Sequence, residues 1–218
     1  MKKNIARILK ALMKSSRGLP LPSVSQIQEE LDDPFKVLVS CILSLRTKDS
    51  ITYPASVKLF NIAGTPKKIA SMPLQKLKNT IKPVNFYKTK AERIKKISRQ
   101  IVNKYKGKVP DDFDELMNFK GVGRKTANIV MTYGHGKEGH IAVDTHVHRI
   151  SNRLGWVKTK TPEKTEFALK KVVPKKYWYW VNELFVRHGQ NICNPVSPKC
   201  SKCPINKMCP KVGVGKSR

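Results

Sequence analysis

The segment TKAERIKKISRQIVNKYKG, residues 89–107, sets Ala91, Ile94, Ile97, Ile101, Val102 and Tyr105 on one stripe at helical spacing and ends in a glycine. That period recurs along the chain, and its counterpart does not. No stretch sustains the apolar–polar alternation of a half-buried strand, and no Asn-Gly pair offers a hairpin turn. Thr65-Pro66 and Thr161-Pro162 each read as an N-cap followed by proline at the first helical position. DPFKVLVSCILSL is apolar nearly all round, so it reads as a buried central helix starting near Asp33, with Cys41 as a core residue. At the N-terminus, Ile5, Ile8, Leu9 and Leu12 give an amphipathic helix, because Arg7, Lys10 and Lys14 interrupt any signal-peptide core. The expectation is an all-α fold of about ten short helices, without internal repeats.

Charge says what such a fold would meet. Forty-four Lys and Arg stand against fifteen Asp and Glu, a net charge of +29 on 218 residues. Any one basic pair, such as Lys95–Lys96, is an ordinary solvated face. The whole excess repels itself, and a polyanion would offset that through counterion release. No apolar run approaches the roughly 20 residues of a membrane-spanning helix, and no lipidation motif is present. Nucleic acid is the expected partner and a membrane is not. The expected compartment is the cytosol, although the basic, acid-free N-terminus is also compatible with a transit peptide.

FKGVGRKTANIV, residues 119–130, puts Gly121 and Gly123 ahead of Lys125 and an apolar run. A P-loop needs Gly-Lys-Ser/Thr, and Arg124 separates Gly123 from Lys125. A dinucleotide fingerprint needs a preceding strand, and PDDFDELMNF reads as a short helix capped by aspartates. What remains is helix, glycine turn, helix. Its outward amides can hold a backbone phosphate without reading sequence. Lys125 falls in the first turn of the second helix, where the dipole disfavours a cation and so favours a nucleophilic amine.

GHIAVDTHVHRISNRLG follows, with Asp144 as the N-cap of another helix. A capping carboxylate at a cleft edge can also stabilise a developing cation. His146 and His148 are two apart, a spacing that diverges on a helix, so they do not read as a metal pair. The tail CNPVSPKCSKCPINKMC supplies Cys193, Cys200, Cys203 and Cys209 at C-x6-C-x2-C-x5-C spacing. In a cytosolic chain this density points to bound metal before disulfides. Zinc and a [4Fe–4S] cluster can each use four thiolates, and spacing alone leaves both open.

Taken together, GVGRKTANIV, IAVDTH and the cysteine tail resemble the endonuclease III family of helix–hairpin–helix DNA glycosylases. DPFKVLVSCILSLRTKD and FYKTKAERI match in order, so the resemblance covers essentially the whole chain. It implies two helical lobes: a six-helix barrel over about 27–137 carrying the hairpin, and residues 1–26 with 138–218 carrying a [4Fe–4S] loop at 193–209. Duplex DNA with damaged bases or abasic sites would bind between the lobes, to a monomer, with Lys125 and Asp144 facing each other. Lys125 is implied to be the nucleophile of a bifunctional glycosylase and abasic-site lyase acting on oxidised pyrimidines through a Schiff base and β-elimination. Asp144 is implied to assist departure of the base. Gly121, Gly123, Arg124 and His146 are implied to contact DNA. Arg46 and Phe86 fall at wedge positions where glutamine and leucine are familiar. The cluster is implied to be structural, holding a basic loop whose charge comes from Lys199, Lys202 and Lys207. The alternatives are a thymine- or uracil-mismatch glycosylase of the same superfamily, and a non-catalytic DNA-binding protein with a zinc-held tail. The implied setting is the prokaryotic cytoplasm at the nucleoid, with organelle and nucleus left open.

Overall fold

The computed structural model describes residues 2–218, and among them there are helices and turns but no strand. Among the described residues twelve α-helices are formed. In chain order they begin with α1 (Lys2–Ser16), α2 (Ser23–Leu31), α3 (Pro34–Ser44), α4 (Asp49–Ala63), α5 (Pro66–Ser71) and α6 (Leu74–Thr80). Then come α7 (Tyr87–Lys104), α8 (Phe113–Met117), α9 (Arg124–Ile129), α10 (Thr145–Arg153), α11 (Pro162–Val172) and α12 (Trp178–Asn191). Proline accounts for part of the excess over ten. Pro73 forces Met72 to an extended conformation (φ −57°, ψ 134°), which ends α5 and lets α6 start two residues later. None of the described helices is long and apolar enough to cross a membrane.

Contacts divide the chain into two units, Pro22–Lys137 and the segment up to Leu21 joined with Glu138–Arg218. The centre of the first is α3, whose Val37, Leu38, Val39, Cys41, Ile42 and Leu43 are all buried. Asp33 starts it by accepting the amides of Phe35 (2.8 Å) and Lys36 (3.3 Å), a cap worth about 1 kcal/mol. Around α3 pack α2, α4, α7 and α9. The stripe on α7 buries Ala91, Ile94, Ile97 and Ile101, while Val102 and Tyr105 are half-buried. The same helix supplies two lysines that close other helices. Lys90 Nζ donates to carbonyls at the end of α3, and Lys95 Nζ donates to the Ala70 carbonyl at 2.9 Å at the end of α5.

The second unit is made from both ends of the chain. Ile5, Ile8, Leu9 and Leu12 of α1 share one core with Val147, Ile150, Leu169, Val181, Leu184 and Phe185. Each fully buried Leu or Ile contributes about 1.5–3 kcal/mol, which makes α1 integral to this unit. Arg187 and Glu183 form a buried pair at 3.1 Å, and Arg187 also donates to the carbonyls of Ser16 and Leu19, satisfying the end of α1. The aromatic run 177–180 is scattered over several faces. Tyr177 is buried, Trp178 donates its indole N–H to the Val173 carbonyl at 2.9 Å, and Trp180 is 41% exposed.

Candidate functional site

The glycine hairpin forms between α8 and α9. Asp112 caps α8 by accepting the Glu115 amide at 2.9 Å, and the Val122 amide closes the turn on the Phe119 carbonyl at 2.9 Å. Gly121 lies in the left-handed region (φ 90°), and a Cβ there would stand 3.0 Å from the Arg93 side chain. The backbone conformation requires glycine at that position, and any larger residue would also have to displace the Arg93 side chain. Gly123 differs: it is the extended N-cap of α9 (φ −105°), and a Cβ on it would meet nothing within 4 Å. Gly123, the N-cap of α9, has no side chain to cap the helix, an arrangement that suits an outside acceptor. Arg124 lies over the Phe113 ring at 4.8 Å and ties α8 to α9.

Lys125 is the second residue of α9 and is half-buried. It lies close enough to Cys41 for its charge to be felt there. Burial nonetheless dominates and pushes the Cys41 thiol up to about 12, with Lys125 pulling the other way. Cys41 thus favours its neutral thiol in the core.

In the same unit, Arg46 and Phe86 both adopt left-handed backbone conformations (φ 54° and 57°) although neither is glycine. Phe86 is 62% exposed, and Arg46 is also exposed. Asn85 Nδ2 donates to the Arg46 carbonyl at 2.6 Å. Leu45, Thr89, Lys90 and Arg93 line a cavity of about 340 Å³ together with these two side chains. Arg93 therefore lies against the hairpin glycine and lines the same cavity as Arg46 and Phe86, which brings the sequence candidates of this unit into one neighbourhood. Sequence reasoning missed Asn85, Lys90 and Arg93. Lys90 left a trace: it stands four residues before Ile94 and seven before Ile97, a lysine in line with an apolar stripe. Burial, then the charge of Arg93, pushes its amine down to about 8.

In the other unit, Asp144 caps α10, its Oδ1 accepting the Val147 amide at 2.8 Å. The approach is fixed by buried Ile141, Ala142 and Val143 and by Asn182 Nδ2 donating to the Ala142 carbonyl at 2.9 Å. His146 and His148 diverge: His146 Nδ1 meets Arg149 Nη2 at 3.0 Å, whereas His148 Nδ1 meets Thr165 Oγ1 at 2.6 Å. A Cβ on Gly189 of α12 would fall 2.3 Å from His146 Nδ1, so this histidine needs glycine opposite it.

All four tail cysteines are free thiols lining one cavity with Ile150, Arg153, His188 and Ile205. Two arginines of α10 hold the loop around them. Arg149 donates to the Cys193 carbonyl at 2.9 Å, and Arg153 donates to Cys193 Sγ at 3.2 Å and to the carbonyls of Asn194 and Pro195 at 2.7 Å. The Arg153 carbonyl in turn accepts the Val212 amide at 3.0 Å, and the Lys211 amide meets Cys209 Sγ at 3.4 Å. Burial pushes the Cys203 thiol up to about 11, and the neighbouring thiols add to the shift. His188, whose Nε2 is 3.7 Å from Cys203 Sγ, is pushed down to about 4 by burial and then by Arg149, so it is neutral. No three described His, Cys, Asp or Glu residues are grouped to hold a single metal ion. Four thiols around one cavity, with arginine and amide donors on their sulfurs, fit a thiolate-bound cationic group.

Residues 39–175 match the family model of the HhH-GPD superfamily base excision DNA repair proteins. Endonuclease III of Thermotoga maritima is 52% identical over 177 residues, 81% of this chain and 83% of that protein. Endonuclease III of Bacillus subtilis is 37% identical over 81% of each. Among solved structures, a non-covalent endonuclease III–DNA complex superposes with a TM-score of 0.84 at 32% identity, covering 97% of this chain and 96% of that one. By sequence and by fold, the chain belongs to the HhH-GPD superfamily of base excision DNA repair proteins and, within it, to the endonuclease III family.

Proposed function

We propose that this chain is a base-excision DNA glycosylase and abasic-site lyase that removes oxidised pyrimidines from duplex DNA. The observation that carries the reading is a lysine in the first turn of a helix that has no side-chain cap, preceded by a glycine with open space around it. A helix start without a side-chain cap suits a backbone phosphate, and Lys125 beside it suits the sugar that the phosphate carries. A DNA duplex also answers the net charge of +29.

In this mechanism Lys125 Nζ forms a bond to C1′ of an extruded nucleotide while the glycosidic bond breaks and the base leaves with a proton. The sugar ring then opens, the C1′–O4′ bond breaking as O4′ takes up a proton, and leaves an iminium between Nζ and C1′ that acidifies C2′; loss of the C2′ proton expels the 3′ phosphate as the C3′–O bond breaks. Asp144 caps with Oδ1 and keeps Oδ2 to stabilise positive charge on the sugar. Arg46 and Phe86 fill the space that the extruded base vacates, and Arg124 and His146 contact the backbone. Cys193, Cys200, Cys203 and Cys209 would hold a [4Fe–4S] cluster, whose iron would neutralise the four thiolates and fix the tail. Iron analysis should return about four iron per chain, and stoichiometric zinc in colourless protein would overturn this assignment. The expected setting is the cytoplasm of a prokaryote.

Borohydride trapping on a duplex with an abasic site tests the function. Wild-type protein should form a covalent adduct through Lys125. A protein that binds the duplex but never traps, and removes no base from a panel of oxidised-pyrimidine duplexes, is a binding module and not this enzyme.

A further inference from the structure

Ser44 to Thr47 form a tight turn, closed by the Thr47 amide on the Ser44 carbonyl at 3.0 Å. Its first central residue, Leu45, has φ −56° and ψ 115°, and its second, Arg46, has φ 54°. Those angles describe a type II turn, whose third position normally takes glycine. Phe86, at φ 57° and ψ 31° before α7, breaks the same rule. Each non-glycine residue held this way costs on the order of 1–3 kcal/mol, so the surroundings must over-determine it.

Two side chains do so. Lys90 is 3% exposed, and its Nζ donates to the carbonyls of Leu43 (2.8 Å) and Leu45 (2.6 Å) and to Thr47 Oγ1 (3.0 Å). Three ammonium hydrogens meet three oxygens spread across the turn, two of them backbone carbonyls that the end of α3 leaves unpaired. Asn85, next to Phe86 in sequence, donates from Nδ2 to the Arg46 carbonyl at 2.6 Å. The Lys90 amide donates to the Phe86 carbonyl at 3.0 Å, so one residue braces both strained positions. Burying an ammonium only to secure a surface turn would be a poor bargain for stability. The strained pair is what the arrangement preserves.

We propose that Lys90 is a positioning residue for strand opening: with Asn85 it holds Arg46 and Phe86 side by side, projecting from the surface, so that they can fill a gap in the base stack. The inference rests on the reading above that the chain extrudes a base from a duplex. Lys90 touches neither the sugar nor the base, and its contribution is confined to substrates that must be opened.

The test compares two substrates across two variants. On a duplex with an oxidised pyrimidine, Lys90→Met should lower the single-turnover rate at saturating enzyme at least tenfold. On a single-stranded oligonucleotide with a preformed abasic site, borohydride trapping should stay within about twofold of wild type, because nothing there needs opening. Asn85→Ala removes an exposed tie without touching the core and should give the same selective loss in smaller degree, which keeps the test decisive if Lys90→Met does not fold. Phe86→Gly relieves the strain, so it should raise the melting temperature while losing the duplex rate. Equal losses on both substrates, or no loss on the duplex, would overturn the proposal. If wild-type protein traps on neither substrate, the lyase reading itself fails and takes this inference with it.

Discussion

The helices α9 and α10 begin alike and end up with opposite equipment. Each has an extended residue at its N-cap and a candidate catalytic side chain within its first turn or at the cap itself. On α10 the cap is Asp144, which spends Oδ1 on the Val147 amide and so brings an anion to its own N-terminus. On α9 the cap is Gly123, which offers no acceptor, and the next side chain but one is a cation. One helix start carries an anion at its own cap, and the other has no side chain at its cap. A phosphate completes α9 and would be redundant at α10, whereas a sugar cation is welcome at Asp144 and unwelcome beside Lys125. In the proposed mechanism the same backbone feature serves grip and nucleophile in one unit and charge stabilisation in the other.

The strongest break in that comparison is Lys125→Gln. It should abolish the borohydride adduct while leaving affinity for undamaged duplex within a few-fold, because the amides of α9 remain. An adduct at the wild-type rate would mean another amine is the nucleophile. Next in size is Asp144→Asn. Asparagine caps nearly as well as aspartate, so melting should barely move, yet base removal should slow by roughly 10²–10³-fold with nicking of a preformed abasic site largely spared. Asp144→Ala separates the two jobs further, adding a loss of about 1 kcal/mol of stability for the missing cap.

Gly123→Ser would give α9 the cap that α10 already has. Serine tolerates the extended conformation at this position (φ −105°), and a Cβ there meets nothing within 4 Å. The variant should gain a few tenths of a kcal/mol in stability and bind every duplex more weakly, whatever its sequence, since its hydroxyl takes an amide that the phosphate needs. Chemical denaturation and a binding titration on undamaged duplex measure the two effects. Tighter binding would show that the amides of α9 do not hold phosphate.

What could be read from the chain follows the same divide between local and tertiary causes. Asp33, Thr65 and Thr161 announce their helices because each cap bond lies within three residues. Gly121 announces its turn because glycine is what a left-handed conformation requires, and the four tail cysteines announce themselves by density. Arg46 and Phe86 announce nothing. The turn at Arg46 is held by Asn85, 39 residues away, and by Lys90, whose partners Leu43, Leu45 and Thr47 lie 43 to 47 residues before it, and neither Arg nor Phe is a residue type that signals a left-handed conformation. Arg149 and Arg153 were invisible as holders of the cysteine loop for the same reason, since their acceptors lie some forty residues on. Pattern reading finds what a residue does to its neighbours in sequence and misses what a distant side chain does to it.

The smallest expected effect on activity concerns Cys41, a thiol near Lys125 that would supply α9 with an anion if it ionised. Burial raises its thiol from 9.0 to about 12, so the folded protein keeps it neutral while the unfolded chain ionises it above 9.0. Between those values the unfolded state binds fewer protons than the folded one, and stability falls as pH rises. At pH 8 and below the thiol makes almost no contribution to the slope. At pH 10 the unfolded chain has gained about 1.4 kcal/mol from ionisation. Cys41→Ala loses some packing at every pH, but it should lack this slope, so its deficit relative to wild type should shrink by about that amount between pH 8 and pH 10. Denaturant titrations across that range measure the difference. The trapping rate at pH 8 should be the same in both proteins, because a neutral thiol gives Lys125 no counter-charge to lose. If Cys41→Ala instead changes the trapping rate at pH 8 severalfold with stability accounted for, the thiol is ionised beside the lysine, and α9 would carry an anion after all.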